Sequence, residues 1–225
     1  MKEHAKEIMK KTPFINKTEL VYQILLEDIL DGKLTGGMRI DQHEIAKQLE
    51  ISRTPIREAM LQLCEDEFLT HNGTSNYEVY RLKMEDYILL NDFRTMLEVF
   101  ACEKAVKYAN GHDLKRMQEI LALEKDAVTR QDRVAFAKSD LNFHQSIVLA
   151  AHNPNLEKTY DAYRAKFELY DALTLNDDIL AVAHQWHVRI FKAIDDRETS
   201  KAKELAAVHR DNTSIAAVNA CMGKL

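Results

Sequence analysis

Residues 39–61 read RIDQHEIAKQLEISRTPIREAML, and they predict two short helices that are joined by a tight turn. Asp41 is suited to cap the first helix, and Glu44 three residues later completes a capping-box pattern. Ser52 or Thr54 can cap the second helix. The pattern is typical of a helix-turn-helix, although any small helical hairpin with surface arginines would also produce it.

The second predicted helix opens with two arginines. Arg53 and Arg57 lie one turn apart, on a different face from the inward-facing Ile56, Met60 and Leu63. A guanidinium group matches guanine O6/N7 or a phosphate bidentately, and the first residues of a recognition helix contact bases and phosphates. We therefore predict that these arginines contact double-stranded DNA.

The segments on either side extend the pattern to a winged helix. An amphipathic stripe over residues 20–29 ends at Gly32, a suitable helix stop. After the helix pair come the apolar residues 68–70, a turn at 71–73 and a short alternating run at 77–80. The order of three helices and a small β-hairpin predicts a winged helix-turn-helix over residues 18–80, preceded by an N-terminal arm of residues 1–17.

Composition and charge restrict the class of protein. The 225 residues are 46% apolar and 30% charged, with only six glycines and three prolines, which favours a helical globular protein. The net charge is −5, and residues 1–83 carry 12 basic against 14 acidic side chains. A general DNA-coating protein would be basic. A sequence-specific reader can instead use local positive charge, here supplied by Arg39, Lys47, Arg53 and Arg57.

The sequence also predicts a cytoplasmic location. No apolar run approaches the roughly 20 residues that span a bilayer, so we expect no membrane association. The first 14 residues lack the apolar core of a secretion signal. Cys64, Cys102 and Cys221 are widely spaced and odd in number, as is usual for thiols in a reducing compartment.

After a linker at residues 80–84, the pattern becomes helical over residues 85–222. Helical stretches are predicted from about 88 to 110 and over 113–129, 132–152, 155–175, 179–195 and 199–220, with Asp113 and Thr199 as caps. The predicted fold class is mainly α, with the winged helix followed by an antiparallel bundle of about six helices.

Several histidines of this second domain have metal-ligand spacing. Asp140 and His144 lie one helical turn apart, and His187 and His209 fall on other predicted helices, so the four could hold one cation. Taken alone, the Asp140/His144 pair also fits a hydrogen bond on a solvated helix face. A His3Asp site with open positions would suit a Lewis-acid enzyme too, although no general base or nucleophile stands beside it in a motif.

The N-terminal segment resembles the DNA-binding domain of GntR-type bacterial transcription regulators. The resemblance is carried by ILDGKL at 29–34, the helix at 39–49 and above all SRTPIREA at 52–59. It implies a winged helix that binds a palindromic operator as a homodimer. The residues predicted to contact DNA are Arg39, Lys47, Ser52, Arg53, Thr54 and Arg57, with His71 and Gly73 in the wing.

The C-terminal segment resembles the FCD ligand domain of the FadR branch of these regulators. The matching stretches are LNFHQSI at 141–147, NPNL at 153–156, HVRIFKAI at 187–194 and AAVH at 206–209. Many members of the branch carry Asp, three residues, His, and then two histidines about 21 residues apart. The resemblance therefore implies a divalent metal ion bound by Asp140, His144, His187 and His209, with His184 as the competing third ligand. Zinc is the first candidate, and nickel and manganese are alternatives.

The same resemblance implies a small carboxylate effector and assigns Arg94 to hold it, whereas a salt bridge of Arg94 with Glu98 is the structural alternative. Tyr163, Arg164 and Tyr170 are placed to line the cavity. The leading hypothesis is a ligand-responsive repressor. The rival hypotheses are a metal-dependent helical-bundle enzyme and a metal-stabilised DNA-binding dimer that has no effector.

Overall fold

The computed structural model describes residues 1–71, 73, 76–81, 83–174 and 177–222, with side chains for all of these except 172–174, 177, 178 and 213–222. The chain divides into two compact units, Met1–Lys83 and Met84–Leu225. The predicted fold class, a winged helix-turn-helix with a small sheet and a helical domain, is confirmed. Among the described residues, no helix has both the length and the apolar composition that crossing a membrane requires.

The described residues of the first unit form four helices and a three-stranded sheet. Its elements are α1 (Lys2–Lys11), α2 (Lys17–Leu30), β1 (Arg39–Ile40), α3 (Gln42–Leu49), α4 (Arg53–Glu65), β2 (Leu69–His71) and β3 (Tyr77–Val79). Its core is formed by apolar side chains of α2 and α4 that are almost completely buried, namely Val21, Ile24, Leu25, Ile56, Ala59, Met60 and Leu63.

The sheet differs from the predicted hairpin by one strand. Its order is β1-β3-β2, and all pairs are antiparallel, with Ile40 opposite Tyr77 and His71 also opposite Tyr77. The strand β1 is only two residues long, too short for an alternating pattern to be visible in the sequence. Asn72 of the predicted turn, and Thr74 and Ser75 between that turn and the alternating run, lie outside the described residues.

The N-termini of α3 and α4 show which of the predicted helix caps form. The Asp41 carboxylate accepts a hydrogen bond from the His43 backbone amide (2.7 Å), as expected for a cap. Glu44 accepts instead from the Gln48 side chain one turn later (2.9 Å), so its predicted capping-box role is wrong. Ser52 occupies the N-cap position of α4 without a side-chain cap bond. The turn itself depends on Glu50, whose φ of 58° is left-handed.

The second unit contains six helices in its described part. They are α5 (Met84–Tyr108), α6 (Gly111–Arg130), α7 (Arg133–Ala150), α8 (Pro154–Thr174), α9 (Asp177–Asp195) and α10 (Thr199–Met222). The α5 helix packs against α10 and α7, and α6 packs against α7 and α9. The predicted cap Asp113 is instead the third residue of α6, where it forms a capping box with Asn110. Thr199 is the first residue of α10.

Candidate metal centre and DNA-binding surface

Three buried histidines converge inside the second unit. His144 on α7, His187 on α9 and His209 on α10 are each at most 3% exposed, and one ring nitrogen of each lies within 4.8 Å of the others. The Nε2 atoms of His187 and His209 are 3.2 Å apart. Asp140 lies at the edge of the cluster, with Oδ1 3.5 Å from His187 Nε2. The structure thus brings together all four residues that the spacing had singled out.

The packing of α7 explains why Asp140 and His144 face inward. Their i, i+4 spacing puts them on the same side of the helix as the buried Phe143 and Ile147. The Phe143 ring stacks on the His187 ring, with centroids 4.6 Å apart. The alternative of a hydrogen-bonded pair on a solvated helix face is therefore wrong, because both side chains lie in the interior.

Two buried glutamates contact the Nδ1 atoms of two of the imidazole rings. Glu98 Oε2 lies 3.0 Å from His144 Nδ1, and Glu124 Oε1 lies 2.9 Å from His187 Nδ1. A carboxylate at Nδ1 keeps the proton on that nitrogen, so the Nε2 lone pair of each ring is directed to the cluster. The sequence analysis did not assign either glutamate to the histidines, and it named Glu98 only as a possible salt-bridge partner of Arg94. The available signal was an acid in phase with buried apolar positions, as Glu124 is with Leu121 and Ala127.

His184 is separate from the cluster. Its Nδ1 atom is 3.0 Å from Glu124 Oε2, and its side chain is 17% exposed. It therefore shares a carboxylate with His187 but is not one of the three converging histidines.

Burial and charge shift the pKa values of this cluster in opposite directions. Burial lowers the pKa of His209, and His187 and His144 lower it further, so its imidazole is held neutral. Burial also acts to lower the pKa of His187, but the Glu124 carboxylate outweighs it and raises that pKa. Burial acts to raise the pKa of Glu124, yet His187 and His184 lower it to about 2. Burial raises the pKa of Asp140.

Arg94 is buried beside the histidines and does not form a surface ion pair. It is 1% exposed, and its Nε donates to Glu98 Oε1 (2.6 Å). Its Nη1 donates to both carboxylate oxygens of Asp171 (2.9 and 2.8 Å). Within the described part of the chain, Arg94 Nη2 is buried without a hydrogen-bond partner. The salt bridge with Glu98 that was weighed as the alternative is present, and one N–H group remains for a further acceptor.

A small cavity of about 10 Å³, which has room for about one water, adjoins Arg94. Its lining includes Tyr87, Asn91, Phe167, Tyr170, Asp171 and Arg210. Of the residues predicted to line it, Tyr170 does so. Tyr163 instead packs on Phe93 (centroids 4.8 Å apart), and Arg164 donates to Asn142 Oδ1 (3.1 Å). Arg210, the residue after His209, was not predicted; it donates to Asn91 Oδ1 (2.7 Å).

The buried charges around the cluster do not balance. The described buried side chains of this unit include four carboxylates, those of Glu98, Glu124, Asp140 and Asp171, but only two guanidinium groups. Burying a charge without a partner is costly, so an interior with two excess carboxylates favours protons or a cation. The raised pKa values of His187 and Asp140 correspond to such protons, and the converging histidine nitrogens lie where a cation would replace them.

The predicted DNA-contacting residues lie on the surface of the first unit. Those on β1, α3, α4 and the wing are all exposed, namely Arg39, Lys47, Ser52, Arg53, Thr54, Arg57, His71 and Gly73. Arg39 and Arg53 line one groove together with His43. Arg53 Nη2 is 2.8 Å from His43 Nδ1, so this histidine, which the sequence analysis missed, holds the arginine at the start of α4.

A winged helix followed by a helical domain with a buried histidine cluster defines a two-domain transcription regulator. The profile of the bacterial regulatory proteins of the gntR family matches residues 17–76, and the FCD domain profile matches residues 90–212, more than half of the chain. The chain belongs to the GntR family and carries an FCD domain. It is a transcription regulator and not an enzyme, which overturns the enzyme alternative.

The relatives are regulators of several operons. The Nta operon transcriptional regulator of Aminobacter aminovorans is 27% identical over 77% of this chain and 81% of its own. The probable D-xylose utilization operon transcriptional repressor of Paenarthrobacter nicotinovorans is 26% identical, over 84% and 83%. The gluconate operon transcriptional repressor of Bacillus subtilis is 22% identical, over 76% and 71%. The structure of Escherichia coli McbR/YncC shares the fold, with a TM-score of 0.76 at 20% identity over 92% and 99%.

Proposed function

We propose that the protein is a repressor that releases its operator when a small organic acid binds beside a divalent metal ion in the FCD domain. The observation that carries the proposal is the convergence of three buried imidazoles next to a cavity with an unpaired guanidinium N–H. The names of the relatives, two of which are repressors of sugar or sugar-acid operons, support it. A regulator of this kind acts on chromosomal DNA in the cytoplasm.

The residues fit a metal ion. Two nitrogens bound to one zinc ion, each at about 2.1 Å, are about 3.4 Å apart in a tetrahedral site, and the Nε2 atoms of His187 and His209 are 3.2 Å apart. His144 Nε2 is buried without a hydrogen-bond partner among the described residues. His144, His187 and His209 would hold the ion, with Asp140 as the fourth ligand. Zinc is the first candidate, and nickel and manganese are alternatives.

A bound metal would supply a Lewis-acidic centre that takes hard oxygen donors such as carboxylate and hydroxyl groups. Arg94 would bind the carboxylate of the effector through Nη2, the N–H group that has no partner in the described part of the chain. Arg94 Nη1 already donates to Asp171. The acid must therefore bind beside the Arg94–Asp171 pair or displace Asp171 from it. The cavity beside Arg94, of about 10 Å³, has room for about one water, so an acid would have to displace its lining side chains to enter. The gluconate repressor makes sugar acids the first class to test.

Operator binding would use the exposed arginines at the start of α4. Arg53 and Arg57 are suited to the major groove, and Arg39 and Lys47 to phosphates. A homodimer would present two such helices to a palindromic site. Exposed apolar side chains on α5, with Leu89 at 69%, Met96 at 59% and Phe100 at 40%, support a dimer surface on the FCD domain.

The first test of the DNA role is selection of fragmented host DNA by the purified protein, followed by sequencing of the retained fragments. We expect a few sharp palindromic sites, and Arg57→Ala should lose them while keeping its fold and metal content. No enrichment in any condition, or an unchanged set of sites with Arg57→Ala, would contradict the assignment of α4.

The first test of the metal site compares two histidines of α9 that both contact Glu124. His187→Ala should lose most of the bound metal, whereas the matched His184→Ala should keep it, as measured by elemental analysis of the purified proteins. If His187→Ala kept its metal and His184→Ala lost it, His184 and not His187 would be the metal ligand.

The effector separates a sensor from a purely structural metal site. Thermal unfolding of the metal-loaded protein across a panel of sugar acids, hydroxy acids, dicarboxylates and aromatic acids should show stabilisation by one class. An Arg94→Lys variant keeps the positive charge but not the planar fork, so its response should fall. If no acid of the panel raised the unfolding temperature, the alternative of a metal-stabilised DNA-binding dimer without effector would be favoured.

A further inference from the structure

The helix α1 is an addition to the matched winged helix, because the GntR profile begins only at residue 17. It is nevertheless a packed part of the first unit. Ala5 and Ile8 are each 5% exposed and lie in one cluster with Leu20 and Ile24 of α2. Such an anchored helix presents its outer side chains in fixed positions.

Polar contacts on both flanks connect α1 to the rest of the first unit. On one flank, Lys2 pairs with Glu50, the left-handed residue that ends α3 and lies three residues before Arg53. On the other flank, His4 contacts Glu27 and lies 3.4 Å from Asp28 Oδ1, both on α2. The Lys2 side of α1 therefore adjoins the turn of the helix-turn-helix, which leads directly into the predicted recognition helix.

Three of the four lysines of α1 lie on this side, and Glu3 and Glu7 lie between it and Lys11 in rotation about the helix axis. Lys2, Lys6 and Lys10 follow one another at i, i+4 spacing, and all three are exposed. At about 100° per residue, Lys6 is rotated only about 40° from Lys2, whereas Lys11 is rotated about 180°. Four of the 12 basic side chains in residues 1–83 belong to α1, in a unit with 14 acidic ones.

We propose that the Lys2, Lys6 and Lys10 side of α1 binds the phosphate backbone of DNA beside the bases that α4 reads. This inference rests on the DNA-binding role proposed above. Successive lysines on this side are about 6 Å apart along the helix axis, and each ammonium group is a compact charge suited to one phosphate. Lys2 is paired with Glu50 and neutralises that carboxylate, which would otherwise repel the DNA backbone at the turn, so Lys6 and Lys10 are the lysines of this side that would bind phosphates.

The helix has a built-in control for the experiment. Lys6→Gln and Lys11→Gln each remove one exposed positive charge from α1, and they differ only in the side from which it is removed. Each lysine that neutralises a phosphate contributes about 0.9 to the slope of log binding constant against log salt concentration. We expect Lys6→Gln to reduce that slope by about 0.9 on random-sequence duplex DNA, and Lys11→Gln to leave it unchanged.

The measurement is fluorescence anisotropy with the full chain at several salt concentrations, after circular dichroism has shown equal helix content for the variants. Equal slopes for the two variants would overturn the proposal and leave the role of α4 intact. Failure of the wild-type protein to bind any DNA, or full operator binding by Arg57→Ala, would instead contradict the proposed function. The two failures are therefore distinguishable.

Discussion

Replacing Glu98 by glutamine should destabilise the FCD domain more than the same substitution at a more exposed glutamate. The Glu98 carboxylate accepts from Arg94 Nε (2.6 Å) and from the Tyr160 hydroxyl (3.1 Å), and it lies 3.0 Å from His144 Nδ1. Burial acts to raise the pKa of Glu98, but His144, Arg94 and Arg210 hold it well below its usual range. The residue is 3% exposed, so water cannot replace the lost charge.

Removing one partner of a buried ion pair costs about 3–5 kcal/mol. Arg94 keeps Asp171 as a second carboxylate partner, which places the expected loss for Glu98→Gln near the lower end, at about 3 kcal/mol. In a unit of this size that loss corresponds to a decrease of about 10 °C in melting temperature. The fluorescence of Trp186, the single tryptophan of the chain, reports unfolding of the FCD domain during urea titration of the chelator-treated protein.

The matched control is Glu103→Gln on the same helix. Glu103 likewise has two basic partners, Lys104 and Lys203, but these three side chains are 30–42% exposed, so water screens the charges. This variant should unfold at nearly the wild-type urea concentration. If Glu98→Gln lost no more stability than Glu103→Gln, the inference that the buried carboxylate network stabilises the domain would be wrong.

Three further predictions concern the metal and the first unit. Zinc at about 100 times its dissociation constant should raise the free energy of unfolding by about 2.7 kcal/mol; an unchanged urea midpoint for the Trp186 signal would contradict zinc binding. Asn16→Ala should cost about 1 kcal/mol because Asn16 accepts the Glu19 amide at the start of α2, whereas Ser52→Ala should cost little because Ser52 makes no cap bond. Hydrogen exchange in α2 and α4 tests this difference. Gly37→Ala should cost about 1 kcal/mol of stability because the φ of Gly37, 86°, is left-handed. An unchanged urea midpoint, followed by circular dichroism, would refute that reasoning.

Features encoded by local spacing were predictable from the sequence. Helix periodicity located the helix-turn-helix, and Gly32, with a φ of 70°, ends α2 as a C-terminal stop should. The i, i+4 pair Asp140 and His144 placed two polar side chains on the buried face of α7. In each case the deciding interaction lies within about one helical turn, so the pattern is visible without knowledge of the tertiary structure.

The contacts that the sequence analysis missed join segments that are distant in the sequence. Glu98 reaches His144 from another helix, and Glu124 reaches His187 from 63 residues away. Nothing in the neighbourhood of either acid identifies its partner. The strand β1 was missed for a related reason, because two residues become a strand only through their pairing with β3. The sequence contained the correct residue types, but only the packing of the helices made them a network.

The sharing of Glu98 between Arg94 and His144 has a thermodynamic consequence. If the proposed acid and metal bind, an acid on the Arg94 guanidinium would change how firmly Glu98 orients His144, and a metal ion on His144 would change how firmly Glu98 holds Arg94. The two equilibria are then linked, and linkage is reciprocal: the factor by which the acid tightens metal binding equals the factor by which metal tightens acid binding. The cellular supply of the metal would therefore set the concentration of acid at which the regulator responds.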